Sequence, residues 1–169
     1  LPKMDDCSHS VAETCELLKI LKKQGVNTVV ATPHYFANDE SIDDFLQRRQ
    51  ASYELIEDKI NEDVPNVVLG AEVKYYSGIV KNEHLDRLKI QGTNLLLLEM
   101  PMSKWTEYIV RELVQIAGKR NMTLVLAHIE RYLSLQNSDV WKRLYENGIL
   151  MQVNASFFAD LFTKNKAIR

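Results

Sequence analysis

Four side chains that can bind a metal ion each follow a short, largely apolar run of the sequence: His34, Glu72, Glu99 and His128. Two imidazoles and two carboxylates suit manganese, iron or zinc, and a carboxylate can bridge two such ions. Any one of these residues alone is more often an ordinary hydrogen-bonded group than a ligand. Glu99 is the most telling, because a carboxylate directly after four leucines is expensive to bury unless another group pairs with it.

The runs before these residues alternate with amphipathic stretches, which is the pattern of repeated βα units. We predict five strands, at 26–32, 64–71, 94–100, 122–127 and 149–154. This alternation indicates a parallel α/β sheet, either open or closed into a barrel. In both arrangements the carboxyl ends of the strands lie at one edge, where ligands bind, so we expect the four candidate ligands to converge there.

The helices between the strands carry their own signals. Ser10 and Ser41 are predicted helix N-caps, and a third helix is predicted over 105–120. The pair Arg48 and Arg49, in the second helix, is expected to face solvent. The leucine run 95–98 favours a strand that is buried on both faces of the sheet.

The composition limits the function classes. A chain of 169 residues is long enough for one domain, and its 46% hydrophobic and 26% charged residues exclude a disordered segment. A net charge of −2 gives no general reason to bind nucleic acid or an anionic membrane. No apolar run is long enough for a membrane span, and two cysteines are too few for a secreted disulfide scaffold. We therefore expect a cytoplasmic protein.

Several chemistries fail on spacing. A cysteine-based phosphatase loop needs an arginine six positions after the cysteine, where Cys7 and Cys15 are followed by Glu13 and Leu21. The sequence contains no glycine-rich phosphate loop, no Gly-x-Ser-x-Gly elbow and no Cys-x-x-Cys pair. The sequence therefore does not support these mechanisms.

Six segments, taken in order and spacing, go beyond these patterns. They are Leu-Pro-Lys-Met-Asp-Asp at 1–6, Ala-Thr-Pro-His at 31–34, Gly-Ala-Glu-Val-Lys-Tyr-Tyr at 70–76, Leu-Glu-Met at 98–100, Ala-His-Ile-Glu-Arg-Tyr at 127–132 and Gln-Val-Asn-Ala-Ser at 152–156. The series resembles the metal-dependent tyrosine-protein phosphatases of bacterial capsule and exopolysaccharide operons. These enzymes belong to the PHP (polymerase and histidinol phosphatase) superfamily.

The resemblance implies a distorted, TIM-like (β/α)7 barrel that holds up to three divalent ions. These are usually manganese, with iron, magnesium or zinc as alternatives. On the matching positions it implies that the metal ligands are Asp6, His34, Glu72, Glu99 and His128, with Glu72 as the bridging carboxylate. It also implies that Arg131 is a catalytic residue that binds the phosphate, a task that suits the fork of a guanidinium.

Two motifs of these phosphatases are absent from the sequence. The relatives carry a His-x-His pair before the segment that matches Leu1 and an Asp-x-His pair beyond the position of Arg169. We therefore expect residues 1–169 to form a single PHP-type domain that lacks its first and last strands.

The resemblance leads to one main hypothesis and two alternatives. The main one is a phosphatase acting on the phosphotyrosine tail of a cognate bacterial tyrosine kinase that regulates capsular or exopolysaccharide synthesis. The first alternative is a phosphoesterase for a small phosphomonoester such as histidinol phosphate. The second is an inactive remnant that lacks its terminal metal ligands. None of these predicts an oligomeric state.

Overall fold

Parallel strands stand side by side at the centre of the fold, in the same order as in the sequence. The computed structural model describes residues 1–4 and 8–159. Within them, the strands are β1 (Thr28–Ala31), β2 (His34–Tyr35), β3 (Asn66–Leu69), β4 (Glu72–Lys74), β5 (Leu95–Glu99), β6 (Thr123–Leu126) and β7 (Leu150–Met151). β1 pairs with β3, and the remaining strands form a sheet of order β2-β4-β5-β6-β7. The prediction of a parallel α/β fold is confirmed.

β1 and β2 are two parts of one strand row, and so are β3 and β4. Thr28 pairs with Asn66 and His34 pairs with Glu72, so the register is the same before and after the interruption. The described residues thus contain five strand rows, at the five places that the sequence predicts. The first two rows are interrupted at residues 32–33 and 70–71.

In the described part of the chain, α1 (Val11–Lys23) precedes the first row, and three helices connect neighbouring rows: α2 (Ile42–Glu57), α3 (Glu107–Ala117) and α4 (Ser138–Glu146). The predicted caps are confirmed, because the Ser10 and Ser41 side chains accept the amides of Glu13 and Asp44. α3 begins later than predicted. Thr106 caps it, while Trp105 is buried and donates its indole N–H to Pro101.

Between β4 and β5 the chain forms two short 3-10 helices, Ile79–Lys81 and Leu85–Leu88. A third 3-10 helix, Ile129–Arg131, follows β6.

The main core lies between the sheet and the helices that cover one of its faces. Leu96 and Leu98 of β5 are fully buried there, beside Leu113 of α3. The prediction that β5 is buried on both faces is wrong for the described structure, because Leu95 and Leu97 are only half-buried. The face that carries Leu97 lines an open cavity of about 420 Å³ instead of packing against another layer.

The two adjacent arginines of α2 have different environments. Arg48 is partly exposed and pairs with Glu40. Arg49 is buried, and its Nη1 donates to the carbonyl oxygen of Gly70 at 2.7 Å. The prediction of a solvated arginine pair is therefore wrong for Arg49, because the side of α2 that carries it packs against the interrupted strand rows.

No helix in the described ranges has both the length and the apolar character needed to cross a membrane.

Candidate metal centre

His34 and Glu72 lie side by side because each is the first residue after an interruption of its strand row. They are partners in the register of β2 and β4. His34 Nε2 is 3.9 Å from Glu72 Oε1. Both side chains are only partly exposed, so the pair is accessible from one side.

Glu99 and His128 approach the same carboxylate from the next two strands. Glu99 is the last residue of β5, and His128 follows the end of β6. His128 Nε2 is 2.9 Å from Glu72 Oε1 and 3.7 Å from Glu99 Oε1. The structure therefore brings together four candidate ligands that are far apart in the sequence, with Glu72 between the two imidazoles.

His128 reaches this position through an unusual backbone conformation. Its φ of 35° and ψ of 54° lie in the left-handed region, which costs a residue other than glycine about 1–2 kcal/mol. The Gln152 side chain accepts the backbone amide of His128, and the Gln152 carbonyl accepts the amide of Ile129. These two hydrogen bonds tie the turn after β6 to the segment after β7.

Tyr132 fixes the other side of the His128 ring. Its hydroxyl is 3.2 Å from His128 Nδ1, and the phenol is fully buried. Burial and the nearby charge of Glu99 raise the pKa of Tyr132 to about 12, so the hydroxyl keeps its proton at neutral pH. A partner on Nδ1 orients the imidazole so that Nε2 points into the centre.

Glu99 has the partner that its burial requires. Lys74 Nζ is 2.8 Å from Glu99 Oε2, and these two residues are neighbours in the register of β4 and β5. Lys74 lies two residues after Glu72, so both side chains lie on the same face of the strand. This spacing is the signal in the sequence that could have identified Lys74. The sequence carries no comparable signal for Gln152, because its contact with His128 depends on the pairing of β7 with β6.

The arrangement fits a bound divalent ion. One ligand atom each from His34, Glu72 and Glu99 lies within 4.8 Å of the other two. Ligands about 2.1 Å from one ion are at most about 4.2 Å apart, so only a small closure is needed. Mixed imidazole and carboxylate donors match manganese, iron or zinc chemistry.

The other two predicted site residues are Asp6 and Arg131. Asp6 lies outside the described residues. Arg131 is the last residue of the 3-10 helix that follows His128, and its Nη1 is 4.0 Å from Glu99 Oε1. Its side chain is 51% exposed, so the guanidinium lies at the rim of the centre and is free to meet a ligand. The cavity of about 420 Å³ opens beside the centre, since Glu72 and His128 also line it.

Comparison with known proteins supports the resemblance. The chain is 29% identical over 168 residues to the tyrosine-protein phosphatase YwqE of Bacillus subtilis, covering 97% of this chain and 65% of that protein. It is 30% identical over 160 residues to the tyrosine-protein phosphatase CpsB of Streptococcus pneumoniae, covering 90% and 63%. It thus spans less than two thirds of the length of these relatives.

A solved structure is also similar. It is one of the crystal structures of YwqE from Bacillus subtilis and CpsB from Streptococcus pneumoniae, which are described as unique metal-dependent tyrosine phosphatases. The match has a TM-score of 0.71 and 28% sequence identity, and it covers 90% of this chain and 62% of that one. A model of the family described as capsular polysaccharide synthesis, CpsB/CapC, matches residues 1–160. The chain therefore belongs to the CpsB/CapC family of capsular polysaccharide synthesis.

Proposed function

We propose that this chain carries the metal centre of a metal-dependent protein-tyrosine phosphatase. The observation that supports the proposal most strongly is the meeting of His34, Glu72 and Glu99 within 4.8 Å, near the carboxyl ends of neighbouring parallel strand rows. His128 joins them at 2.9 Å from Glu72. The names of the similar proteins point to the same activity.

The ions are manganese in this proposal, and Asp6 completes the ligand set with the four residues of the centre. Divalent ions at such a site stabilise charge on phosphoryl oxygens and lower the pKa of a bound water. Glu72 would serve as the bridging ligand, because its Oε1 is 3.9 Å from His34 Nε2 and 2.9 Å from His128 Nε2.

Arg131 binds the phosphate of the substrate. Its exposed guanidinium offers parallel N–H donors that match two phosphoryl oxygens, and its positive charge opposes the charge that develops during transfer. The weak 4.0 Å contact with Glu99 leaves these donors available. Tyr132 and Gln152 hold His128 in place and do not touch the substrate in this scheme.

The substrate is phosphotyrosine on the tail of a cognate bacterial tyrosine kinase that controls capsular or exopolysaccharide synthesis. Family membership and the open position of Arg131 support this choice. We also propose that the five strand rows belong to a single PHP-type domain spanning 1–169, part of a (β/α)7 barrel, because sequential parallel order is the order of a barrel. The cytoplasmic location stays a prediction.

The test is phosphate release from a phosphotyrosine peptide with Mn²⁺, measured for the unmodified chain and for His128→Ala. His84→Ala is the matched control, because His84 is an exposed histidine outside the centre. We expect His128→Ala to lose activity and His84→Ala to keep it. Equal activity of the unmodified chain and His128→Ala would refute the assignment.

Two further measurements separate the alternatives. Faster turnover of histidinol phosphate than of the peptide would favour the small phosphomonoester. Elemental analysis of the purified chain tests the inactive remnant, since a working centre should retain two or three ions and a remnant at most one.

A further inference from the structure

The interruption of the first two strand rows leaves one backbone carbonyl without its usual donor. In a parallel ladder, the amide of a bonded residue donates to the carbonyl of the residue before its register partner. Its own carbonyl accepts the amide of the residue after that partner. Gly70 follows the first half of this rule, because its amide donates to Ala31 at 2.9 Å. Its carbonyl should therefore accept the amide at position 33. That residue is Pro33, which has no N–H.

Arg49 supplies the missing donor. Its Nη1 lies 2.7 Å from the Gly70 oxygen, where the amide of residue 33 would otherwise point. Pro33 and Gly70 are both buried. A Cβ on Gly70 would come within 3.1 Å of the side chains of Thr32 and Ile90. The Gly70 carbonyl is thus paired with a buried side chain.

The burial of Arg49 is costly. The residue is only 7% exposed, and its Nε has no hydrogen-bond partner within the described residues. Burial lowers the pKa of its guanidinium. The ring of Phe45, 5.7 Å from the guanidinium carbon, offsets part of the lost hydration. A leucine or methionine would pack in this place at a lower desolvation cost, so the hydrogen bond to Gly70 is the specific contribution of the arginine.

We propose that Arg49 is a positioning residue for the metal centre, whose guanidinium replaces the absent Pro33 amide and holds the two strand rows in register at their interruption. This inference rests on the proposed metal centre. His34 and Glu72 are the first residues beyond the interruption, and β2 has only two residues with which to hold the register there. The distance between His34 and Glu72 therefore depends on the bond that Arg49 makes.

A double-mutant cycle tests this substitution of one donor for another. Arg49→Met removes the donor, Pro33→Ala restores a backbone N–H at the position facing Gly70, and the double variant carries both changes. Arg111→Met is the matched control, since the Arg111 side chain is 60% exposed. Calorimetry measures the Mn²⁺ dissociation constant, and urea unfolding without metal measures stability.

We expect Arg49→Met to weaken Mn²⁺ binding and to lower the folded-to-unfolded ratio, each by about ten- to hundredfold, as for loss of a buried hydrogen bond from a charged donor. Pro33→Ala alone and the control should each change these values by about threefold or less. The double variant should return to the level of Pro33→Ala, because the new amide takes over the carbonyl. A role based only on charge or volume would show no such rescue.

Two results overturn the proposal: Arg49→Met equal to the unmodified chain, or a double variant as impaired as Arg49→Met. If Arg49→Met does not fold, a folded double variant supports the inference and an unfolded one overturns it. Failure of the metal centre itself is distinguishable, because the unmodified chain would then bind no Mn²⁺. Urea unfolding of the same variants would still test whether Arg49 holds the two strand rows in register. Additive losses of stability from Arg49→Met and Pro33→Ala would count against that role.

Discussion

Replacing Lys74 by methionine tests how the chain stabilises the Glu99 carboxylate. The Nζ–Oε2 distance is 2.8 Å, and the Glu99 side chain is 11% exposed while that of Lys74 is 35% exposed. At an effective dielectric constant of about 20, Coulomb's law gives about 6 kcal/mol for charges at this distance. Solvent around the lysine and relaxation of the carboxylate remove most of this energy, so we expect a loss of about 1–2 kcal/mol in the free energy of unfolding.

Urea unfolding in the presence of a chelator measures this loss. Lys142→Met is the matched control, because Lys142 lies 3.8 Å from Glu146 on the exposed side of α4 and should contribute about 0.5 kcal/mol or less. A loss for Lys74→Met no larger than for the control would show that Glu99 does not depend on Lys74.

The same variant should bind Mn²⁺ more tightly than the unmodified chain. Lys74 occupies Glu99 Oε2 and carries a charge of the same sign as the ion, so its removal frees a ligand atom and removes a repulsion. Calorimetric titration measures the change. Weaker binding would contradict the idea that lysine and ion compete for one carboxylate.

Three further predictions concern the surroundings of His128. Gln152→Ala should lower the free energy of unfolding in urea by about 1–2 kcal/mol and weaken Mn²⁺ binding, because the backbone amide of His128 loses its acceptor. Gln152→Glu keeps an acceptor and should retain most of the stability and of the Mn²⁺ affinity. Arg131→Lys should raise KM for a phosphotyrosine peptide in steady-state assays without changing Mn²⁺ affinity by calorimetry, since a lysine cannot reproduce the bidentate fork. Because the folded pKa of Tyr132 is raised to about 12, its contribution to stability should be complete below pH 10 and be lost as the pH rises to 12. Urea unfolding between pH 9 and 12 should therefore show a shallower loss of stability for Tyr132→Phe, and equal slopes would contradict that pKa shift.

The sequence predicts the strand rows and helix caps because both depend on short-range patterns. Apolar runs locate the five rows, and the hydroxyls of Ser10 and Ser41 cap the helices that follow them. Short-range patterns do not show which faces of β5 are buried. Four consecutive leucines show that the strand is apolar, but only the placement of the other layers decides which of its faces is covered.

The candidate ligands also follow from position, since a polar residue after each apolar run can be read directly from the sequence. What holds these residues in place cannot be read that way. The spacing from Glu72 places Lys74 on the same face of the strand, but its contact with Glu99 is decided by the register of β4 with β5. Gln152 reaches His128 only through the pairing of β7 with β6.

The sequence by itself determined the positions of the five strand rows, the four residues available to bind a metal and the missing amide at Pro33. These are properties of residue type and local spacing. Only the tertiary structure decided that Glu72 lies between two imidazoles, that one face of β5 lines a cavity and that Arg49 donates to Gly70. The physical reason is that hydrogen bonds and ion pairs between distant segments require register and burial, which form only when the rows pack together.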